Sequence, residues 1–287
     1  MNTAARAWGW LRRNALLIYA ALAVAYMLIP IAVIAVFSFG ATPRDKLTFG
    51  LDEGFTTEYW SSMFSLPELN EAMLTSLKLA ALATLVATAI GTAMAIALVR
   101  HRFPGRRATN LLIVIPMATP EVVIGASLLS MFIYYSFALG FTTLLIAHVM
   151  FSISFVVVVV RSRLIGFDRN LEEAAADLGA GPFTTFRTVT LPLLAPAIIA
   201  AALLAFALSI DDFVISNFNS GTTVTFPLYV YGVSLRGIPV QVNAIATLLF
   251  VVAATAAALV IFQQRRAERM ASVRPEPLPL PGTAAAQ

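Results

Sequence analysis

Residues Leu171–Ala197 read LEEAAADLGAGPFTTFRTVTLPLLAPA. They form the longest stretch of the 287-residue chain that is neither a plain apolar run nor a low-complexity tail. Acidic residues stand beside a run of alanines, followed by Gly179, Gly181 and three prolines. The local chemistry spells two short helices. Asn170 can cap the first, with Glu173 three residues on reaching back as a capping box, and Gly179 can take the left-handed conformation that closes it. Pro182, at a first helical position, starts a second helix that runs to about Val189, where Pro192 stops it. Such an element, with Ala174, Ala175 and Leu178 on it, has too little apolar surface for a domain and more order than a linker requires. It is either a helix pair resting on lipid headgroups or a piece shaped to fit a partner.

Its flanks say which kind of protein carries it. The chain is 59% hydrophobic and 12% charged, with a mean hydropathy of +0.85; a soluble globular domain has far more charge. A helix needs about 20 apolar residues to cross a bilayer. Runs of that kind lie near Ala15–Phe39, Ala72–Val99, Ala108–Tyr135, Phe141–Ile165, Pro196–Phe218 and Val240–Phe262. The expectation is therefore an all-α, polytopic membrane protein with about six transmembrane helices. The first run is too long for a signal-peptide core and lacks a small-residue cleavage site behind it, which predicts an uncleaved anchor. With no cysteine, disulfide frameworks, thiolate metal sites and thiol catalysis are excluded. The isoelectric point near 9.7 does not point to nucleic acid, because the basic residues adjoin apolar runs rather than forming a patch with interleaved aromatics.

Those basic residues predict the topology, since cytoplasmic loops retain Lys and Arg. Arg6, Arg12 and Arg13 precede the first run, and Arg100, Arg102, Arg106 and Arg107 fill the turn between the second and third. Arg161, Arg163, Arg169 and Arg187 follow the fourth, and Arg265, Arg266, Arg269 and Arg274 the sixth. Both termini and the Leu171–Ala197 stretch are then cytoplasmic. The expected organisation is a cytoplasmic N-terminus over 1–14, a membrane domain over 15–262 with its internal loop at 166–195, and a cytoplasmic tail over 263–287. That tail, rich in Pro and Ala from Pro275 on, reads as disordered. The first external loop, Gly40 to Glu71, carries Asp45, Asp52, Glu53, Glu58, Glu68 and Glu71 against Arg44 and Lys46; it is either a solvated loop or a docking surface.

Ionisable groups inside the runs are the second signal, because in hydrocarbon they usually face a path or a partner. Glu121 follows Pro116 and Pro120, and Asp211 and Asp212 sit in LSIDDFVISNF. Counting about 1.5 Å per residue from the inner edge puts all three at similar depth, enough for one acidic ring. No Lys or Arg lies mid-run to neutralise it, so a small cationic substrate would be its partner. The competing reading is hydrogen bonding to helix ends or loop amides. Adjacent helical residues point about 100° apart, so one aspartate faces the path while the other holds a neighbouring helix or subunit. Tyr134, Tyr135, Phe213, Phe218, Tyr229 and Tyr231 are either an interfacial belt or cation–π contacts for an ammonium group. Small residues from Ala80 to Gly91 permit close helix packing. His101 and His148 are isolated, without metal-ligand spacing, and receive no role; no matching pair of broken helices is evident.

Glu173-Ala174-Ala175, then Gly179, then Val189-x-Leu191-Pro192 resembles the EAA loop of ABC importer permeases, with Val in place of Ile as the one departure. The resemblance implies a type I, MetI-like permease fold. It also implies that Glu172, Glu173, Ala174, Ala175, Asp177, Leu178, Gly179 and Pro192 belong to the segment that docks into a cytoplasmic ABC ATPase dimer. The partners it brings are that ATPase, a second permease subunit, a periplasmic substrate-binding protein and the lipid bilayer of a bacterial inner membrane. No G-x-x-x-x-G-K-[ST] loop occurs, so ATP hydrolysis is expected on another chain; neither enzyme activity nor a cofactor is expected here. IPMATPEVVIGASLL and IDDFVISNF with TFPLYVYGVSLRGIPVQVNAIATLLF are similar to the polyamine branch of this family. The likeness runs from about Glu71 to Phe262. Branches carrying ferric iron, sulfate or molybdate share the loop, and an ion-gradient-driven transporter or a receptor scaffold remains a competitor from the residues alone.

Overall fold

The computed structural model describes residues 3–40, 54–235 and 237–272. It divides into two compact units, Met1–Met63 with Pro239–Gln287, and Phe64–Ile238. Apart from an isolated bridge between Gly40 and Phe55, regular structure among the described residues is helical, which is the all-α architecture the apolar runs imply.

In the first unit α1 (Thr3–Phe37) and α2 (Glu58–Ser61) each pack against α12 (Val240–Ser272). The chain turns at the end of α1, where the Ser38 hydroxyl donates to the Ala35 carbonyl at 2.6 Å and Phe39 stacks on Trp60 with ring centroids 5.2 Å apart. Leu16, Leu17, Leu22 and Met27 are exposed on α1, which is long and apolar enough to cross a membrane. The acidic loop expected from Gly40 is partly helical: Glu58 opens α2, and Glu68 and Glu71 lie on the next helix. Arg44, Asp45, Lys46, Asp52 and Glu53 lie outside the described residues, as do Arg236, Arg274 and the tail from Pro275.

The second unit is built around α3 (Pro67–Arg100), α6 (Phe141–Ile165) and α9 (Leu191–Ile210). Pro67 stands in the first turn of α3, where its missing N–H is harmless, and Arg100 ends it, complementing the helix dipole. The face Ala80, Ala83, Ala87, Gly91 and Ala95 is buried. It lets α6 approach so closely that a Cβ at Gly91 would lie 2.6 Å from Val156 Cγ1. The close packing expected from the small residues is present, with Val156, Val157, Val160 and Leu194 completing the core.

Two of the expected straight spans are broken. The run Ala108–Tyr135 folds as α4 (Arg106–Ala118) and α5 (Glu121–Tyr134), bent by 113° at Thr119–Pro120. Pro120 cannot continue the helical hydrogen bonding, and it keeps Thr119 extended at ψ 135°. The run Pro196–Phe218 ends as a helix at Ile210, and α10 (Val214–Asn219) begins after a three-residue break of Asp211, Asp212 and Phe213. α11 (Phe226–Ser234) follows, its first N–H held by the Ser76 hydroxyl of α3 at 2.8 Å. Among the described residues Asn14–Phe37, Pro67–Arg100, Phe141–Ile165 and Pro182–Ile210 are long and apolar enough to cross a membrane, and the bent pair makes a fifth if it is one span. The sixth expected span falls on α12, whose described apolar part, Val240–Thr255, is shorter.

The loop after α6 also departs from its local reading. α7 covers Asn170–Asp177, and Asn170 lies inside it rather than capping it: Asp168 Oδ1 accepts the Asn170 N–H at 3.0 Å, and no capping box with Glu173 forms. Gly179 does take the left-handed conformation, with φ +84°. Its N–H reaches the Ala176 carbonyl at 2.9 Å and that of Ala180 reaches Ala175 at 3.0 Å, the paired bonds of a Schellman turn. Pro182 opens α8 (Pro182–Thr185) as expected. Pro192 does not stop it. A π-helical turn at Phe186–Thr190 carries the chain into α9, with the Leu191 N–H bonding five residues back to Phe186. The wider turn takes up the residue whose hydrogen bond Pro192 cannot make, so one continuous rod runs from the loop into the core.

Candidate functional site

The two helix breaks meet. Gly125, one turn into α5, packs against α10 so tightly that a Cβ there would lie 2.8 Å from Phe218 Cδ2 and 3.4 Å from Ile215 Cα. Asn219 Nδ2 donates to the Gly125 carbonyl at 3.2 Å. Glu121 therefore stands one turn before this contact on one side, and Asp211 and Asp212 one turn before it on the other. The depth count along straight helices fails beyond Thr119, where the chain bends, and the packing of Gly125 on α10 sets the break that carries Glu121 beside the break that carries Asp211 and Asp212.

The three do not play one part. Glu121 and Asp211 are exposed, the first at the opening of α5 and the second at the C-terminal cap of α9. Asp212 is turned inward, its side chain 6% exposed. It accepts the N–H of Ser216 at 2.8 Å, that of Ile215 at 3.2 Å and the Ser216 hydroxyl at 2.8 Å. His148 Nε2 stands 3.4 Å from it. The expectation that the carboxylates lack internal partners is thus corrected for Asp212, because the start of α10 offers free backbone donors that a carboxylate satisfies. The alternative of helix-end hydrogen bonding holds for this residue; the two aspartates differ because they lie in the break between α9 and α10, where the 100° spacing of a helix does not apply.

The assignment of no role to His148 is corrected too. It is buried on α6 and reaches Ser209 Oγ with Nδ1 at 2.7 Å and Ser216 Oγ with Nε2 at 3.0 Å. An ionisable ring inside an apolar run was signal enough to expect a partner; sequence spacing could not name partners 61 and 68 residues away. Of the aromatic residues, Phe213 follows the aspartates directly and packs on Tyr231 at 4.8 Å, while Tyr134 and Tyr135 pack edge to face at 5.0 Å.

The loop places its residues in two layers. Glu173, Ala174, Asp177, Leu178 and Gly179 are exposed, with Leu178 at 90%, and Phe183 of α8 joins them at 74%. Two large apolar side chains exposed on a turn of small residues make a surface suited to a protein partner. Ala175 is half-buried and Pro192 exposed further along the rod. Glu172 belongs to the layer beneath. Its Oε1 accepts from Arg100 Nη2 at 2.8 Å and from the Thr190 hydroxyl at 2.6 Å, tying α7 to the end of α3 and to the π turn. Arg100 also lies over the Phe167 ring at 5.2 Å. Sequence reading missed Arg100 because it counted that residue only as a topology signal.

Comparison with known proteins identifies the family. Residues 87–267 match the family described as the binding-protein-dependent transport system inner membrane component. The spermidine/putrescine transport system permease protein PotC of Escherichia coli K12 is 41% identical over 229 residues, covering 79% of this chain and 85% of that protein. The putrescine transport system permease protein PotI of the same strain is 36% identical over 232 residues, covering 78% and 81%. Among solved structures, a bacterial ABC transporter involved in the import of the acidic polysaccharide alginate matches with a TM-score of 0.62 at 17% identity, covering 92% of this chain and 99% of that one. That last likeness concerns the fold alone: a type I ABC importer permease. From the match along the chain, the apolar helices and the shared fold, the protein belongs to the inner-membrane components of binding-protein-dependent transport systems.

Proposed function

We propose that the chain is the permease subunit of an ATP-driven importer for polyamines, with Glu121 and Asp211 lining the cargo path. The observation that carries this reading is the pair of exposed carboxylates at two helix breaks that pack together, with no cationic side chain joined to either among the described residues. Carboxylates gathered at membrane depth call for a counter-charge, and a linear chain of ammonium groups supplies several at spacings that separate carboxylates can share. Phe213 and Tyr231 beside Asp211 add aromatic surface for such a cation. The names of the relatives support the same cargo class, whereas an anion such as sulfate would meet repulsion.

The exposed turn around Leu178 and Gly179 docks on the ATPase dimer, with Glu173 meeting a basic group there and Gly179 giving the reversal its shape. Motion passes through the rod Pro182–Ile210 toward Asp211 at its far end, which couples ATP turnover to the path without nucleotide chemistry in this subunit. The arginine distribution puts both termini and the loop in the cytoplasm. A second permease subunit completes the path, and a periplasmic binding protein delivers cargo to its outer end. The test is reconstitution with the ATPase, the second permease subunit and the binding protein, offering putrescine, spermidine, sulfate and ferric iron separately. Stimulated ATP turnover with polyamine is expected; stimulation by sulfate or iron alone would overturn the cargo assignment.

A further inference from the structure

We propose that His148 is a positioning residue for cargo recognition: an imidazole that pins α6 to both sides of the α9–α10 break and thereby fixes where Asp211 presents its carboxylate. The functional part rests on the cationic-cargo reading above; the geometry does not.

The Ser216 hydroxyl sets the direction of its own two bonds. Ser216 Oγ donates its single proton to Asp212 Oδ2 at 2.8 Å. It is left to accept from His148 Nε2 at 3.0 Å, so a ring proton sits on Nε2. Nδ1 meets the Ser209 hydroxyl at 2.7 Å. Asp212 collects an O–H and two backbone N–H groups.

The mechanical consequence follows from where these residues stand. Ser209 is in the last turn of α9 and Ser216 in the first turns of α10; Asp211 and Asp212 lie between them. Across this gap the helical ladder is interrupted, and the last backbone bond before it, Asp211 N–H to the Ala207 carbonyl, is stretched to 3.4 Å. The far end of α10 has its own tie to α6, the Thr143 hydroxyl to the Asn219 carbonyl at 2.8 Å. His148 supplies the tie at the near end and is the one that reaches the α9 side as well. Without it, the two sides of the break are held on α6 by the apolar packing of Leu208 and Ile215 with Ala147 and Phe151 and lose the directed bonds that orient Asp211.

Two measurements test this. The chain has two histidines, so the full chain labelled with 15N-histidine in lipid bilayers gives two ring systems, and His101→Asn assigns them. The expected signal for His148 is a ring protonated on Nε2, with Ser216→Ala moving the Nε2 resonance and Ser209→Ala the Nδ1 resonance. A ring without a proton on Nε2, or resonances indifferent to both substitutions, overturns the arrangement. In the reconstituted full transporter, His148→Ala should lower the maximal polyamine transport rate about tenfold, the scale of one lost buried hydrogen bond, with ATPase association unchanged. His148→Gln, whose Nε2 can still donate toward Ser216, should retain more of the rate than His148→Ala. Wild-type rates in His148→Ala, or equal loss in both variants, overturn the positioning role. A wild-type complex that ignores polyamines overturns the cargo reading instead, and the histidine arrangement is then decided by the resonances.

Discussion

Glu172→Ala separates a residue that supports the docking loop from one that touches the partner. Glu172 Oε1 takes a charged hydrogen bond from Arg100 at 2.8 Å and a second from the Thr190 hydroxyl at 2.6 Å. Their side chains are only 16% and 24% exposed for Arg100 and Glu172, and Thr190 is 5% exposed. A solvated surface pair is worth about 0–1 kcal/mol, whereas hydrogen bonds to charged groups contribute about 1.5–3 kcal/mol each. Partial burial puts this staple between those limits, and Arg100 keeps its stacking on Phe167 when the carboxylate is gone. The removal therefore costs about 2 kcal/mol in holding α7 against α3 and the π turn, a shift of about 30-fold in the attached-to-detached ratio. Detached, the loop still presents Glu173 and Leu178 but no longer drives the rod Pro182–Ile210. The expected phenotype in proteoliposomes is a complex that copurifies with its ATPase and hydrolyses ATP at the basal rate, while cargo-stimulated turnover and transport per ATP fall. Exchanging the charges, Arg100→Glu with Glu172→Arg, should recover part of the coupling. Wild-type stimulation in Glu172→Ala refutes the staple. Lost copurification that the exchange does not restore refutes it as well, because Glu172 would then be a contact of the ATPase itself.

The two aspartates should part company. Asp212→Asn removes the charge that holds two N–H groups, a hydroxyl and His148, so it should destabilise the subunit by about 1–3 kcal/mol and lower its melting temperature in detergent. Asp211→Asn should melt like wild type yet transport polyamines poorly; equal melting with equal transport in both variants counts against the division of labour. At Gly179, with φ +84° and nothing within 4 Å of a new Cβ, the obstacle to substitution is backbone conformation. Gly179→Val should weaken ATPase copurification while Gly179→Asn, which tolerates the left-handed region, stays near wild type; indistinguishable copurification would remove the argument. Gly221 combines φ +57° with a Cβ position 2.6 Å from the Leu139 carbonyl oxygen. Gly221→Ala should therefore cost about 2 kcal/mol or more in stability, and an unchanged melting curve would show that the Leu139–Gly221 approach is not tight.

Much of this protein is legible in its composition and local patterning because those depend on the surrounding medium and on the nearest few residues. Apolar runs of bilayer length specify helices wherever the chain folds, and the alanine and glycine face of α3 already marks a close contact. Gly179 and Pro182 shape the docking turn through backbone preferences that need no partner, which is why that turn forms where local chemistry puts it. Pro192 shows the limit of such reasoning: a proline that should end a helix is absorbed by a π turn because the tertiary core continues the rod. Only the folded chain decides that Glu121 and the aspartates stand at two helix breaks instead of along two straight spans, that Glu172 looks inward to Arg100 while Glu173 looks out, and that His148 has partners. Each of these depends on groups 61 to 94 residues apart in the chain, and the pairing of distant side chains is fixed by packing, which local sequence periodicity does not encode.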